Sequence, residues 1–308
     1  MVDFEAGAPV SGDLDVRWNH GARPARRDTD QPIQVHAYDE HTFVLRQNMA
    51  VHYEAPFLYL LFGNKRALLL DTGATADSGL FPLRGTVDAL VAKWLAEHPR
   101  TGYELIVVHS HAHSDHVAGD SQFDGRPDTT VVLADLDSVQ SFFGFSAWPD
   151  ETVEFDLGGR VLEITGIPGH HDASIAAYDR WSGFLLTGDT VYPGRLYVND
   201  FPAFTASLDR LVRIAGSRPV THVMGCHIEM SRRPGRDYPI WGTYQPDEPP
   251  LQMTVAQLGK VREAAIAITE RPGVHVFDNF VIFHGPCRRS MPKYLAKAAW
   301  ARLRSRLV

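Results

Sequence analysis

Cysteine is nearly missing from this chain. Cys226 and Cys287 are the two in 308 residues. That is too few for a disulfide framework, and a reducing, cytoplasmic setting is expected. No apolar run approaches the ~20 residues that span a bilayer, so no membrane partner is expected. Residues 1–10 lack a basic segment followed by an apolar core, so no signal peptide is expected. Positive charge is in deficit: 30 Lys and Arg stand against 37 Asp and Glu, a net charge of −7. That balance argues against nucleic acid as a partner. The remainder, 44% hydrophobic and 22% charged, is the composition of an ordinary globular protein.

Histidine is in excess, with 15 in the chain, and it clusters. An apolar run over residues 105–108 reads as a short buried strand. It ends in His109-Ser110-His111-Ala112-His113-Ser114-Asp115-His116. Imidazole and carboxylate suit zinc, iron and similar divalent metals. Four donors (His111, His113, Asp115 and His116) within six residues cannot easily all bind one ion. Two facing each way suggests a pair of metals.

Residues 1–32 are rich in Gly, Pro, Arg and Asp and lack periodicity, which predicts an extended or poorly ordered arm. Residues 33–308 are expected to form a single domain. Residues 34–37, 42–46, 57–62 and 66–70 read as strands, with a Gly63-Asn64 turn between the last two. The last strand runs into Asp71-Thr72-Gly73. Asp71 either caps a turn or supports a metal-binding histidine from behind. Residues 86–98 have helical spacing and stop at Pro99. Residues 131–133 read as a strand and 135–143 as a helix. In the second half, 153–155, 161–165, 174–178, 183–186 and 220–224 read as strands, and 204–214 and 254–269 as helices. Two further strands are expected near 274–277 and 280–283. A helical, basic tail follows from Met291, with Lys293, Lys297, Arg302, Arg304 and Arg306. Two sheets, each covered by helices on its outer face, would bury these strands and gather the donor-bearing loops at one rim.

The further donors His170, Asp189 and His227 each sit at a strand end or in a Gly-containing turn. With Asp71-Thr72-Gly73, His111 to His116, Gly169-His170, Gly188-Asp189 and His227 in that order, residues 33–285 resemble the metallo-β-lactamase superfamily. The resemblance implies an α/β fold: an αββα sandwich of two mixed sheets flanked by helices, with a binuclear site. His111, His113 and His170 would hold the first metal, Asp115, His116 and His227 the second, and Asp189 would bridge them. That arrangement is similar to glyoxalase II and the acyl-homoserine lactonases. The cofactors implied are two divalent ions, zinc in the first place, with iron or manganese as alternatives. The activity implied is hydrolysis of a small ester, lactone or thioester by a metal-bound hydroxide.

Asp115 counts as catalytic as well as a ligand. Tyr192, three residues after Asp189, matches a tyrosine that polarises the substrate in the lactonases; its alternative is a packed aromatic before Pro193. His171 stands where family members usually have Thr. His109 is expected to pack against the strand end, and Cys226 to point away from the site. The long segment 228–250 is expected to shape the substrate pocket. Arg288, Arg289 and Lys293 are candidates to meet an anionic thiol carrier. Two other readings stay open: a mononuclear non-haem iron persulfide dioxygenase and a phosphodiesterase similar to ribonuclease Z. A homodimer is also left open.

Overall fold

The computed structural model describes the whole chain except residues 6, 8, 286–291, 293, 297–298 and 301–308. Cys287, Arg288, Arg289, Lys293, Lys297, Arg302, Arg304 and Arg306 therefore lie outside the described residues. The first half runs β1 (Ile33–Asp39), β2 (Thr42–Gln47), β3 (Phe57–Phe62), β4 (Arg66–Leu70), α1 (Leu83–Glu97), β5 (Glu104–Val108), α2 (Ser114–Val117), β6 (Thr129–Val131) and α3 (Leu136–Phe143). The second runs β7 (Thr152–Asp156), β8 (Val161–Gly166), β9 (Ile175–Asp179), β10 (Phe184–Gly188), β11 (Arg195–Val198), α4 (Phe201–Ser217), β12 (His222–Gly225), β13 (Gln252–Met253), α5 (Val255–Ala267), β14 (Gly273–Val276) and β15 (Val281–His284).

Strands β1 to β6 form one six-stranded sheet in sequence order. A second six-stranded sheet has the order β13-β12-β10-β9-β8-β7. The two-residue side-chain period sorts the apolar residues between layers. In β3, Phe57, Tyr59 and Leu61 face inward, onto Leu162 and Ile164 of β8 and Phe184 and Leu186 of β10. The alternate residues Leu58, Leu60 and Phe62 face outward onto Leu83, Val87, Val91 and Trp94 of α1. Covered on both faces, β3 has to be apolar throughout. On the second sheet, Tyr178, Leu185 and Val223 face out onto Phe204, Leu208 and Leu211 of α4 and Leu258 and Val261 of α5. The layers are helix, sheet, sheet, helix, as the sequence leads one to expect.

A third sheet, β11-β15-β14, was not anticipated. β11 is four residues of mixed polarity between two turns. It gains its partner only because β15, far along the chain, pairs with it in parallel. Among its described residues the arm carries no strand or α-helix. Composition leaves its order open, and burial ties it down: Phe4 and Trp18 are buried, and Trp18 packs edge-on against Phe57 at 4.9 Å. No helix among the described residues is long and apolar enough to cross a membrane.

Candidate metal centre

Register brings the donor loops together. Parallel pairing of β4 with β5 sets Leu70 opposite Val108, so the Asp71 and His109–His116 turns leave the sheet side by side. Two backbone bonds lock them, Asp71 N–H to the Val108 carbonyl at 2.8 Å and Thr72 N–H to the His116 carbonyl at 2.7 Å. In the facing sheet, β10 and β12 are also parallel, with Gly188 opposite Gly225. Asp189 and His227 therefore emerge next to each other. The loop carrying His170 joins β8 to β9 and is tied across the sandwich by Ile175 N–H on the Ser110 carbonyl at 2.9 Å. Five loops from two sheets thus meet at one rim.

His111, His113 and His170 form the first group. His170 Nε2 lies 3.2 Å from His111 Nε2 and 2.9 Å from His113 Nδ1, and the latter two are 2.9 Å apart. His170 Nδ1 is 2.7 Å from the Tyr197 carbonyl. A carbonyl only accepts, so Nδ1 carries the proton and Nε2 turns a lone pair to the group. Burial lowers the pKa of all three imidazoles, which keeps them neutral and able to donate electron pairs.

Asp115, His116, Asp189 and His227 form the second group. Asp115 Oδ2 is 3.4 Å from His116 Nε2 and 3.3 Å from His227 Nε2. Asp189 Oδ1 is 3.6 Å and 3.4 Å from the same two nitrogens. A tetrahedron of zinc–ligand bonds has edges of about 3.3 Å, so both groups match the size of a cation's ligand shell. His116 Nδ1 faces Asp71 Oδ2 at 2.9 Å and His227 Nδ1 faces the Glu54 carbonyl at 3.0 Å, again leaving Nε2 to the centre. Burial lowers the pKa of His227, but Asp189 and Asp115 push it up to about 9. Burial likewise raises both carboxyls, yet the neighbouring histidines hold them well below the usual carboxylate range. The carboxylates demand positive charge here.

Asp189 faces both groups. Its Oδ2 is 3.8 Å from His170 Nε2, while Oδ1 faces His116 and His227. Oδ1 is buried with no hydrogen-bond partner among the described residues. An orphaned carboxylate oxygen among imidazoles whose Nε2 atoms face the same point fits a divalent cation on each side, which would take the place of the protons that the carboxylates hold on His116 and His227.

The structure gathers all seven residues that the sequence singles out as ligands. Asp71, fully buried, accepts from Ser110 N–H at 2.7 Å and Ser110 Oγ at 2.9 Å as well as facing His116, so it orients a histidine from behind. Cys226 is no member of either main group, but its thiol turns toward this carboxylate, Sγ to Asp71 Oδ2 at 3.3 Å. His109 is buried with Nε2 at 3.2 Å from Asp120, outside both groups. The His171 ring is 5.4 Å from that of His113, and its Nδ1 accepts from Ala173 N–H at 3.1 Å. Of the two adjacent histidines, His170 is the one brought to the group.

The Tyr192 ring packs 5.6 Å from that of His227, but its hydroxyl is not turned to the centre. Its buried hydroxyl donates to the Arg195 carbonyl and Glu229, so the packed-aromatic alternative describes its placement. Sequence reasoning missed His52, Tyr53 and Glu54, which border the second group, and Trp241, which adjoins Tyr53. Asp115 and His227 both act on His52 and Glu54, and Trp241 hydrogen-bonds the Tyr53 hydroxyl. No motif marks them. Pro56 closing a polar segment ahead of β3 was the available signal.

The comparisons agree with this geometry. A family profile described as "Metallo-beta-lactamase superfamily" matches residues 55–227. A hydroxyacylglutathione hydrolase of Synechococcus sp. is 32% identical over 168 residues, covering 50% of this chain and 58% of that protein. The acyl-coenzyme A thioesterase MBLAC2 of Homo sapiens is 24% identical over 202 residues, covering 55% of this chain and 72% of that protein. The chain spans about half the length of the hydroxyacylglutathione hydrolases it matches, 52% in another from Synechococcus sp.. Among solved structures, a metallo-beta-lactamase from Pontibacter korlensis aligns with TM-score 0.50 at 15% identity, over 76% of this chain and 99% of its own. The DIM-1 metallo-beta-lactamase aligns at 0.52 and 15%, over 78% and 99%. At such identities the likeness speaks for the fold.

Proposed function

Because this chain belongs to the metallo-beta-lactamase superfamily and has its fold, we propose that it is a binuclear metal-dependent hydrolase of a small ester, lactone or thioester. The observation that carries the reading is Asp189, buried between two complete donor groups with one oxygen toward each. Two divalent cations held there would supply a polarised water and a Lewis acid for the carbonyl under attack.

The chain's own residues do the rest. His111, His113 and His170 would hold one cation, Asp115, His116 and His227 the other, with Asp189 between them. Asp71, the Tyr197 carbonyl and the Glu54 carbonyl fix the proton on the far nitrogen of His116, His170 and His227, so the near nitrogens stay free. Burial of His111, His116, His170 and His227 keeps bulk water from competing. Within the proposed bond classes, the names of the relatives favour a thioester. The substrate is read as a small acyl compound in the cytoplasm, with neither nucleic acid nor membrane as partner.

The persulfide dioxygenase reading would use the first group alone. It gives no account of why the second group is equally buried and equally oriented. A phosphodiesterase would need a basic groove, which the net charge does not favour. The test is elemental analysis of protein purified without added metal, with lactone, thioester and phosphodiester hydrolysis assayed on the same sample. About two zinc per chain with acyl turnover is expected. About one iron per chain with oxygen uptake on a persulfide and no hydrolysis would overturn the proposal.

A further inference from the structure

The segment 228–250 borders the second donor group, and Trp241 within it reaches the Tyr53 hydroxyl. Trp241 holds φ +64°, a backbone that a bulky residue keeps only when its surroundings impose it. Two to seven residues further on, the segment is held by the N-terminal arm and by Arg46. Gln245 N–H donates to the His20 carbonyl at 2.7 Å, and Gly21 pairs with Tyr244 in an isolated antiparallel bridge. The Tyr244 ring lies 5.9 Å from that of His20 and 5.2 Å from the Arg23 guanidinium. Gly21 has φ +73°, and a Cβ there would meet the Thr243 carbonyl oxygen at 2.1 Å. The two segments touch backbone to backbone.

A buried cation closes the contact from beneath. Arg46, 1% exposed, donates to both carboxylate oxygens of Glu248 at 2.6 Å and to the Asn19 carbonyl at 2.6 Å. Gln245, with its amide turned to suit its neighbours, donates to the Ile228 carbonyl at 2.8 Å and to Glu248 at 2.9 Å. Ile228 directly follows His227, so the linkage runs from the arm through the loop to the ligand-bearing turn.

The geometry points to a clasp: residues 19–21 and Arg46 grip residues 243–248 and hold the loop, with Trp241, as a fixed wall of the site, so that the N-terminal arm sets substrate affinity. Long loops beside an active centre otherwise sample several conformations. A wall fixed in advance lowers the ordering entropy that binding has to supply. The arm residues act through the loop and are positioning residues. The inference rests on the hydrolase reading of the centre.

Two full-length, metal-loaded variants test it. Gly21→Ala forces the backbones apart; Tyr244→Ala removes the His20 and Arg23 contacts without straining the arm, and keeps the test open should the first variant fold poorly. Hydrogen–deuterium exchange over residues 241–248 is read beside metal content, KM and kcat on an acyl substrate the wild type turns over. Expected are exchange about tenfold faster confined to that stretch, KM raised about fivefold, kcat within about twofold, and unchanged metal content. Wild-type protection in both variants overturns the clasp. Faster exchange with unchanged KM overturns its role in affinity. If the metal-loaded wild type hydrolyses no acyl substrate, the functional reading falls instead, and the clasp stands or falls on the exchange data alone.

Discussion

Two residues carry contrasting lessons. Asp189 is a carboxylate with no hydrogen-bond partner among the described residues for one oxygen and a histidine group on each side. Asp189→Ala is expected to bring hydrolysis to background and to release at least one metal per chain by elemental analysis; retention of both would defeat the bridging role. Tyr192 has the offset from Asp189 that the lactonase resemblance requires, yet its hydroxyl is committed to Arg195 and Glu229. Tyr192→Phe is therefore expected to keep kcat/KM within about threefold while losing about 1 kcal/mol of stability by urea titration. A hundredfold fall in activity would show that the hydroxyl reaches substrate after all. The family resemblance named both residues. Only side-chain direction separates them: the Asp189 carboxylate faces the two histidine groups, and the Tyr192 hydroxyl turns to Arg195 and Glu229.

At the scale of elements, the strand ends do the placing. Most strands and helices follow from apolar alternation and helical spacing, with edges moved by a few residues where a cap or a proline decides them. α1 starts at Leu83, directly after Pro82, rather than at residue 86. β11 and the separate third sheet escaped because short strands of mixed polarity owe their existence to a distant partner. Gly169 shows how tightly one element can hold another. It has φ +135°, and a Cβ there would meet Phe204 Cα at 2.4 Å, while its carbonyl accepts from Asn199 and Asp200 N–H at the start of α4. Gly169→Ala is expected to push the His170 loop off α4. Metal content would drop by about one ion per chain, with the far-UV circular dichroism unchanged. Full occupancy in that variant would mean the loop does not depend on the helix.

Across the whole molecule, a buried ion pair ties the two sheets together. Arg160 donates to Asp179 Oδ2 at 2.6 Å and Oδ1 at 3.0 Å, and to the His41 and Phe62 carbonyls of the facing sheet. Burial raises the Asp179 carboxyl, but Arg160 and Ser182 outweigh it and hold it below the ordinary value. The unfolded chain binds that proton at higher pH than the folded one, since its carboxyl titrates near 3.9. The stabilisation is present above that value and is lost as pH falls toward the folded value. Arg160→Met strands a buried carboxylate and is expected to cost about 3–5 kcal/mol near neutral pH. It should also flatten the acid limb of stability in urea titrations from pH 6 to 3; an unchanged slope would remove Asp179 from the acid response.

The sequence by itself determined the layered fold and the cluster His111, His113, Asp115 and His116, because period-two and helical patterning and donor spacing are local properties of a chain; His170, Asp189 and His227 joined the candidates through the resemblance to the metallo-β-lactamase superfamily. It also marked Asp71 as support for a ligand. The tertiary structure decided which histidine nitrogen faces the centre, that His170 and not His171 joins it, where the Tyr192 hydroxyl goes, and that Tyr53, Glu54, Trp241 and the arm border or brace the site. Those outcomes depend on groups far apart in sequence being brought within a few ångström by strand register, a distance that no local pattern encodes.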